Sequence, residues 1–145
     1  MSQIWAIAYV STATDEPSDA ALERLLSKAR AFNSEVGVTG ALLVHGSTFF
    51  QYFEGPKKGV EAVYARVKMS RAHKDIVELF NESVEQRTFP SWLMGFANAP
   101  RSVILQLEQA QWRAVAANGH PSGGPTLALG LVLDFWKNAH GGQRG

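Results

Sequence analysis

The sequence contains no cysteine, so disulfides, thiolate metal sites and cysteine nucleophiles are excluded from the outset. Long apolar runs are missing too. Nothing approaches the roughly 20 residues that a bilayer-spanning helix needs, and residues 1–10 lack the basic start and small-residue cleavage site of a secretion signal. A cytoplasmic location away from the membrane is the expectation. Neither sign of charge is in excess: 14 Lys and Arg face 13 Asp and Glu, spread along the chain without a basic run, which argues against nucleic acid as a partner. The four histidines, at 45, 73, 120 and 140, have no metal-ligand spacing, and no metal is assigned. Gly-x-Ser-x-Gly, Gly-x-Gly-x-x-Gly and the phosphate-loop pattern are all absent, which argues against a serine hydrolase, a Rossmann dinucleotide enzyme and a nucleoside-triphosphatase.

What remains is a chain of 145 residues, 46% apolar, enough for one domain with a real core. Residues 3–11 (QIWAIAYVS) read as a strand. Ser18 is placed to cap a helix over residues 19–35, where Leu22, Leu25, Leu26, Ala29 and Phe32 recur at helical spacing until Gly37 ends it. Residues 38–44 and 48–53 are apolar runs joined around Gly46-Ser47, the composition of a tight hairpin. Gly55-Pro56 closes the hairpin, and Val60, Val63, Tyr64 and Val67 mark a second helix. Residues 76–84 and 92–97 read as two further strands. This order predicts an α+β fold, a ferredoxin-like βαββαββ sandwich with both helices on one face of an antiparallel-rich sheet. A C-terminal helical extension follows: about 17 helical residues after Pro100, the breaker-rich NGHPSGGP, then residues 127–136, apolar nearly all round. Those pieces need the open sheet face or a partner chain to cover them, and the Gly-rich tail from Gly141 is expected to be disordered.

Several residues sit awkwardly in a bland core. Gln51 shares a strand face with Phe49 and Phe53, where an unpaired amide costs about 1–3 kcal/mol, so it reads equally as a structural hydrogen bond or a ligand contact. Tyr9, with its ring in a core, ordinarily finds a backbone partner for its hydroxyl. Asn33 has the position of a routine helix-end residue, and Arg66 lies at the edge of an apolar stripe, free to face the interface or water. Trp92 and Met94 share one strand face, a spacing more common in packing than in a cofactor wall.

Taken together, these residues resemble the BLUF family, the sensors of blue light using flavin. The motifs are IAYVS with Tyr9, ARAFN with Asn33 running into GVTGALL, FFQYFEG with Gln51, and FPSWLMGF with Trp92 and Met94, from about Trp5 to Phe96. The resemblance implies noncovalent FAD, with FMN or riboflavin as the other candidates, lying between the two helices; without cysteine, a flavin-cysteine adduct is excluded. It implies slot walls from Leu22, Leu25, Ala29 and Val67, polar contacts from Asn33 and Arg66, and further contacts from Phe32, Ser70 and His73. Tyr9, Gln51, Trp92 and Met94 would form the photoactive set: Gln51 bridges Tyr9 to the flavin, and light leaves it rotated or tautomerised. The chain departs from the family pattern at Phe32, Ser70 and Ala72, where a polar residue, an aspartate and an arginine are usual, while His73 is retained.

On this reading residues 1–97 are the flavin-binding domain and 98–145 the C-terminal helices and tail. The protein is a photoreceptor rather than an enzyme, and signals to a downstream protein effector or by self-association, as a homo-oligomer. Two rivals stand beside it: a flavin-free interaction module on the same fold, and an acylphosphatase-like enzyme. The latter needs a basic anion-binding loop after the first strand, where the sequence has the acidic TATDEPS.

Overall fold

The local signals fall where the chain turns in the computed structural model, which describes residues 4–15, 18–89, 94–109, 115–117, 120–122, 130 and 132. Strand β1 (Ile4–Ala13) leads to α1 (Asp19–Val36), whose first turn is capped by the Ser18 hydroxyl accepting from the Ala21 N–H at 3.1 Å. Gly37 ends that helix at φ 74°, a left-handed conformation that only glycine adopts cheaply, and its N–H bonds back to the Asn33 carbonyl. The hairpin β2 (Thr39–His45) and β3 (Thr48–Pro56) follows, then α2 (Lys57–Met69), β4 (His73–Val84) and β5 (Gly95–Asn98).

The five strands form one sheet in the order β4-β1-β3-β2-β5. β1 lies antiparallel to both β3 and β4, and β2 antiparallel to β3, while β5 adds in parallel to β2 at the edge. This is the expected α+β sandwich of two interleaved βαβ units. Side chains alternate between two buried faces, which is why the strands read as nearly continuous apolar runs. Ile7, Leu42, Phe49 and Phe53 pack under α1 and α2 with Leu22, Leu26, Val60 and Val63. Ala8, Leu43, Phe50 and Tyr52 face the other way.

That second face is covered by α3 (Arg101–Gln109) through Ile104 and Leu107, together with Val132. The C-terminal region therefore supplies a lid to the open sheet face. The expected helix of about 17 residues is shorter. α3 is described over 9 residues, and residues 115–117 instead form β6 (Val115–Ala117), paired with β7 (His120–Ser122). Ala117 pairs with His120, and the Asn-Gly dipeptide between them in the sequence is a strong short hairpin signal that competes with the helical pattern before it. Leu127, Leu129, Leu131, Leu133, Phe135 and Trp136 lie outside the described residues. Among the described residues no helix is long and apolar enough to cross a membrane.

Candidate functional site

A cavity of about 420 Å³ opens between α1, α2 and the sheet, a size within the roughly 300–1,000 Å³ typical of ligand sites. The helices approach closely where Gly59 passes Val36, so near that a Cβ there would stand 2.3 Å from the Val36 carbonyl oxygen. Tyr9, Leu25, Ala29, Phe32, Asn33, Gln51, Arg66, Val67, Ser70, His73 and Met94 all border the cavity, so one space gathers residues scattered along the chain from β1 to the residue before β5. Trp92 lies outside the described residues. Leu22 is corrected: it points into the helix–sheet core instead of the slot, and Leu26, Leu42, Phe49 and Val63 complete the apolar walls. Sequence reasoning also missed Lys28 and Met69 on the lining. Both are exposed, and their helical positions carry no signal that separates them from other surface residues.

Gln51 and Tyr9 are paired directly across the β1–β3 ladder, which places their side chains on the cavity face together. The Tyr9 hydroxyl donates to Gln51 Oε1, and Gln51 Nε2 donates to the Met94 sulfur at 3.5 Å. The amide's orientation follows from its neighbours: a thioether can only accept, so the end facing it must be the NH2. Gln51 is 8% exposed, and both ends of the amide are thus engaged by the protein alone. Burial, and secondarily the neighbouring Tyr64, push the Tyr9 hydroxyl far above the ordinary phenol range, so its proton stays in place at physiological pH. The Tyr9 ring is held edge-on to Phe53 with centroids 6.3 Å apart and stacked on Tyr64 at 6.1 Å. The Tyr64 hydroxyl in turn donates to Glu78 Oε1 at 3.0 Å.

Farther along the slot, Asn33 is buried on α1. The Arg66 guanidinium lies 4.3 Å from the centre of the Phe32 ring. Phe32, the departure from a usual polar residue, therefore supports Arg66 at the rim by a cation–π contact. Ser70 turns its hydroxyl to the Ala72 N–H at 3.1 Å. His73 clamps β1 to the end of α2: its Nε2–H donates to the Val67 carbonyl at 2.9 Å, and Ser11 Oγ lies 2.7 Å from Nδ1. A carbonyl can only accept, which fixes the proton on Nε2. No group of three or more His, Cys, Asp or Glu able to hold a metal ion occurs among the described residues.

Fold and site together define a class: a split-βαβ sandwich whose helix–sheet slot suits a flat, largely apolar cofactor with hydrogen-bonding edges. The sequence profile of the BLUF family, "Sensors of blue-light using FAD", matches residues 4–95. The chain belongs to the BLUF family. It is 32% identical over 89 residues to the photoactivated adenylate cyclase subunit alpha of Euglena gracilis, a match covering 61% of this chain and 9% of that protein. It is 35% identical over 83 residues to the blue light- and temperature-regulated antirepressor BluF of Escherichia coli (strain K12), covering 57% of this chain and 21% of that one. The chain thus matches only a minor part of each of these curated relatives. Among solved structures, the dark state of the BLUF protein BlrB superposes with a TM-score of 0.65 at 26% identity, covering 75% of this chain and 84% of that one.

Proposed function

We propose that this chain is a blue-light receptor that holds FAD noncovalently in the slot between α1 and α2 and switches through Tyr9, Gln51 and Met94. The observation that carries this is the hydrogen-bonded series Tyr9 to Gln51 to Met94 on the cavity wall. The residues fit the group: apolar walls from Leu25, Ala29, Phe49 and Val67 suit the faces of a ring system, and the Asn33 and Gln51 amides suit its polar edge. Arg66 and Lys28 border the same cavity and suit the phosphates of a dinucleotide, a charge that riboflavin lacks.

Bound flavin supplies light absorption and one-electron redox chemistry. The protein's part is geometric. Tyr9 holds a phenolic proton against an amide oxygen, both groups being buried, so oxidation of the phenol and movement of that proton are tied to Gln51. An amide has ends of opposite hydrogen-bonding character. If Gln51 rotates, its carbonyl oxygen faces the Met94 sulfur, which has no proton to give, and the contact is lost. The change is then felt at Met94, immediately before β5, and through β5 and Ala99 by the cluster that α3 and Val132 cover. The output passes to a downstream protein effector or to self-association, and the chain acts as a sensor and not an enzyme. The test is Gln51→Leu, which should retain flavin and lose the light-induced red shift; a normal shift would remove Gln51 from the mechanism.

A further inference from the structure

Besides its cavity face, α1 makes one polar contact that the switch described above does not use. Arg30 is an exposed residue, yet its Nε–H donates to the Met94 carbonyl oxygen at 3.0 Å. Met94 is buried and immediately precedes Gly95, the first residue of β5 to pair with β2. Two hydrogen bonds therefore converge on one residue: Arg30 from α1 on its backbone, and Gln51 from β3 on its sulfur. A thioether is a weak acceptor on a side chain with three rotatable bonds. Such a contact persists at 3.5 Å only if the backbone that carries it is fixed.

We propose that Arg30 is a positioning residue: by anchoring the Met94 backbone to α1 it holds the sulfur where the Gln51 amide can donate to it, and so sets the resting orientation of that amide. This rests on the photoreceptor reading for its functional meaning, though the tether itself does not. The anchor joins a wall of the cofactor slot to the first residue of the outgoing segment. Loss of the tether should leave Gln51 Nε2 without a steady partner in the dark state, and return from the switched state becomes less favourable.

The chain has three methionines, Met1, Met69 and Met94. Met69 is 83% exposed and Met94 is 2% exposed, so a 13C-methyl methionine spectrum of the full chain, as purified and in the dark, resolves the buried methyl. Arg30→Leu removes the donor. Arg30→Gln keeps an N–H at the same number of bonds from the backbone and drops the charge. In the Leu variant the Met94 methyl should move toward the averaged shift of a mobile methionine, and dark recovery after blue light should slow about fivefold, the effect of one modest hydrogen bond. The Gln variant should restore both. An unchanged Met94 resonance in Arg30→Leu, or a Gln variant no better than Leu, would overturn the proposal. Because the methyl is read whether or not flavin is bound, a colourless protein showing the Arg30 dependence would support the tether and sink the photoreceptor reading.

Discussion

Tyr9→Phe separates cofactor binding from switching. The substitution keeps the ring, and with it the edge-on contact to Phe53 at 6.3 Å and the stack on Tyr64 at 6.1 Å. Only the hydroxyl that donates to Gln51 Oε1 is lost. The buried amide is left underpaired at one end, a cost of about 1–3 kcal/mol. For a chain of this size each kcal/mol lowers Tm by about 2–4 °C, so the fall should be roughly 2–12 °C and the protein should still fold at room temperature. The apolar slot walls come mainly from α1, α2, Leu42 and Phe49, and the Tyr9 ring is kept, so flavin should co-purify at near wild-type stoichiometry. Without an oxidisable phenol bonded to Gln51, blue light should produce no stable red-shifted state, and flavin fluorescence should be longer-lived than in the wild type. Absorption before and after illumination, a thermal melt and a fluorescence decay read all three. A Tyr9→Phe protein with the normal reversible shift would refute the reasoning and make Tyr9 only a core tyrosine.

Other expectations follow from named contacts. Gly59→Ala would force a Cβ to within 2.3 Å of the Val36 carbonyl oxygen, so α1 and α2 must part; a loss of about 1–3 kcal/mol in urea unfolding together with weaker flavin retention is expected, and unchanged retention would show that this contact does not shape the slot. Leu107→Ala, at a fully buried position under the second sheet face, should cost about 2–5 kcal/mol in the same assay while leaving the flavin spectrum in place. All three tyrosines, Tyr9, Tyr52 and Tyr64, are pushed above the ordinary phenol value of 10.0, chiefly by burial. As their folded values are raised, the unfolded chain releases protons first as pH climbs past about 10, and stability falls from there upward. Phenolate absorbance near 295 nm should therefore stay flat through pH 10 and rise only with alkaline unfolding; a separate earlier step would place a tyrosine in water.

Much of this site was legible because its residues break local rules. Gln51 between Phe49 and Phe53 declares a buried amide, whereas the β1–β3 register that sets it beside Tyr9 joins strands far apart in the chain and emerges only in the folded sheet. Asn33 drew only a helix-end reading from its position, and its burial on the cavity side emerges from the packing of α1. Two features had no sequence signal. Arg30 looks like any exposed helix residue until β5 brings the Met94 carbonyl within reach. Glu54, read as part of a strand motif, proves wholly buried, accepting from the Tyr52 hydroxyl at 2.7 Å and the Phe89 N–H at 2.6 Å. Its paired acceptor role depends on a segment 35 residues away. The β6–β7 pairing had a sequence signal in the Asn-Gly dipeptide after Ala117, but helical periodicity up to that point outweighed it.

The central claim is that a noncovalent flavin in this slot drives a reversible change in Gln51, and one measurement tests it most directly. The protein is purified in the dark, its visible spectrum recorded, blue light applied, and the spectrum followed back in darkness. A yellow protein whose flavin band moves several nanometres to the red and returns thermally, with all flavin released on acid precipitation, is the predicted result. A protein that carries no flavin when refolded with FAD, or whose flavin band only bleaches without a red shift, would contradict it.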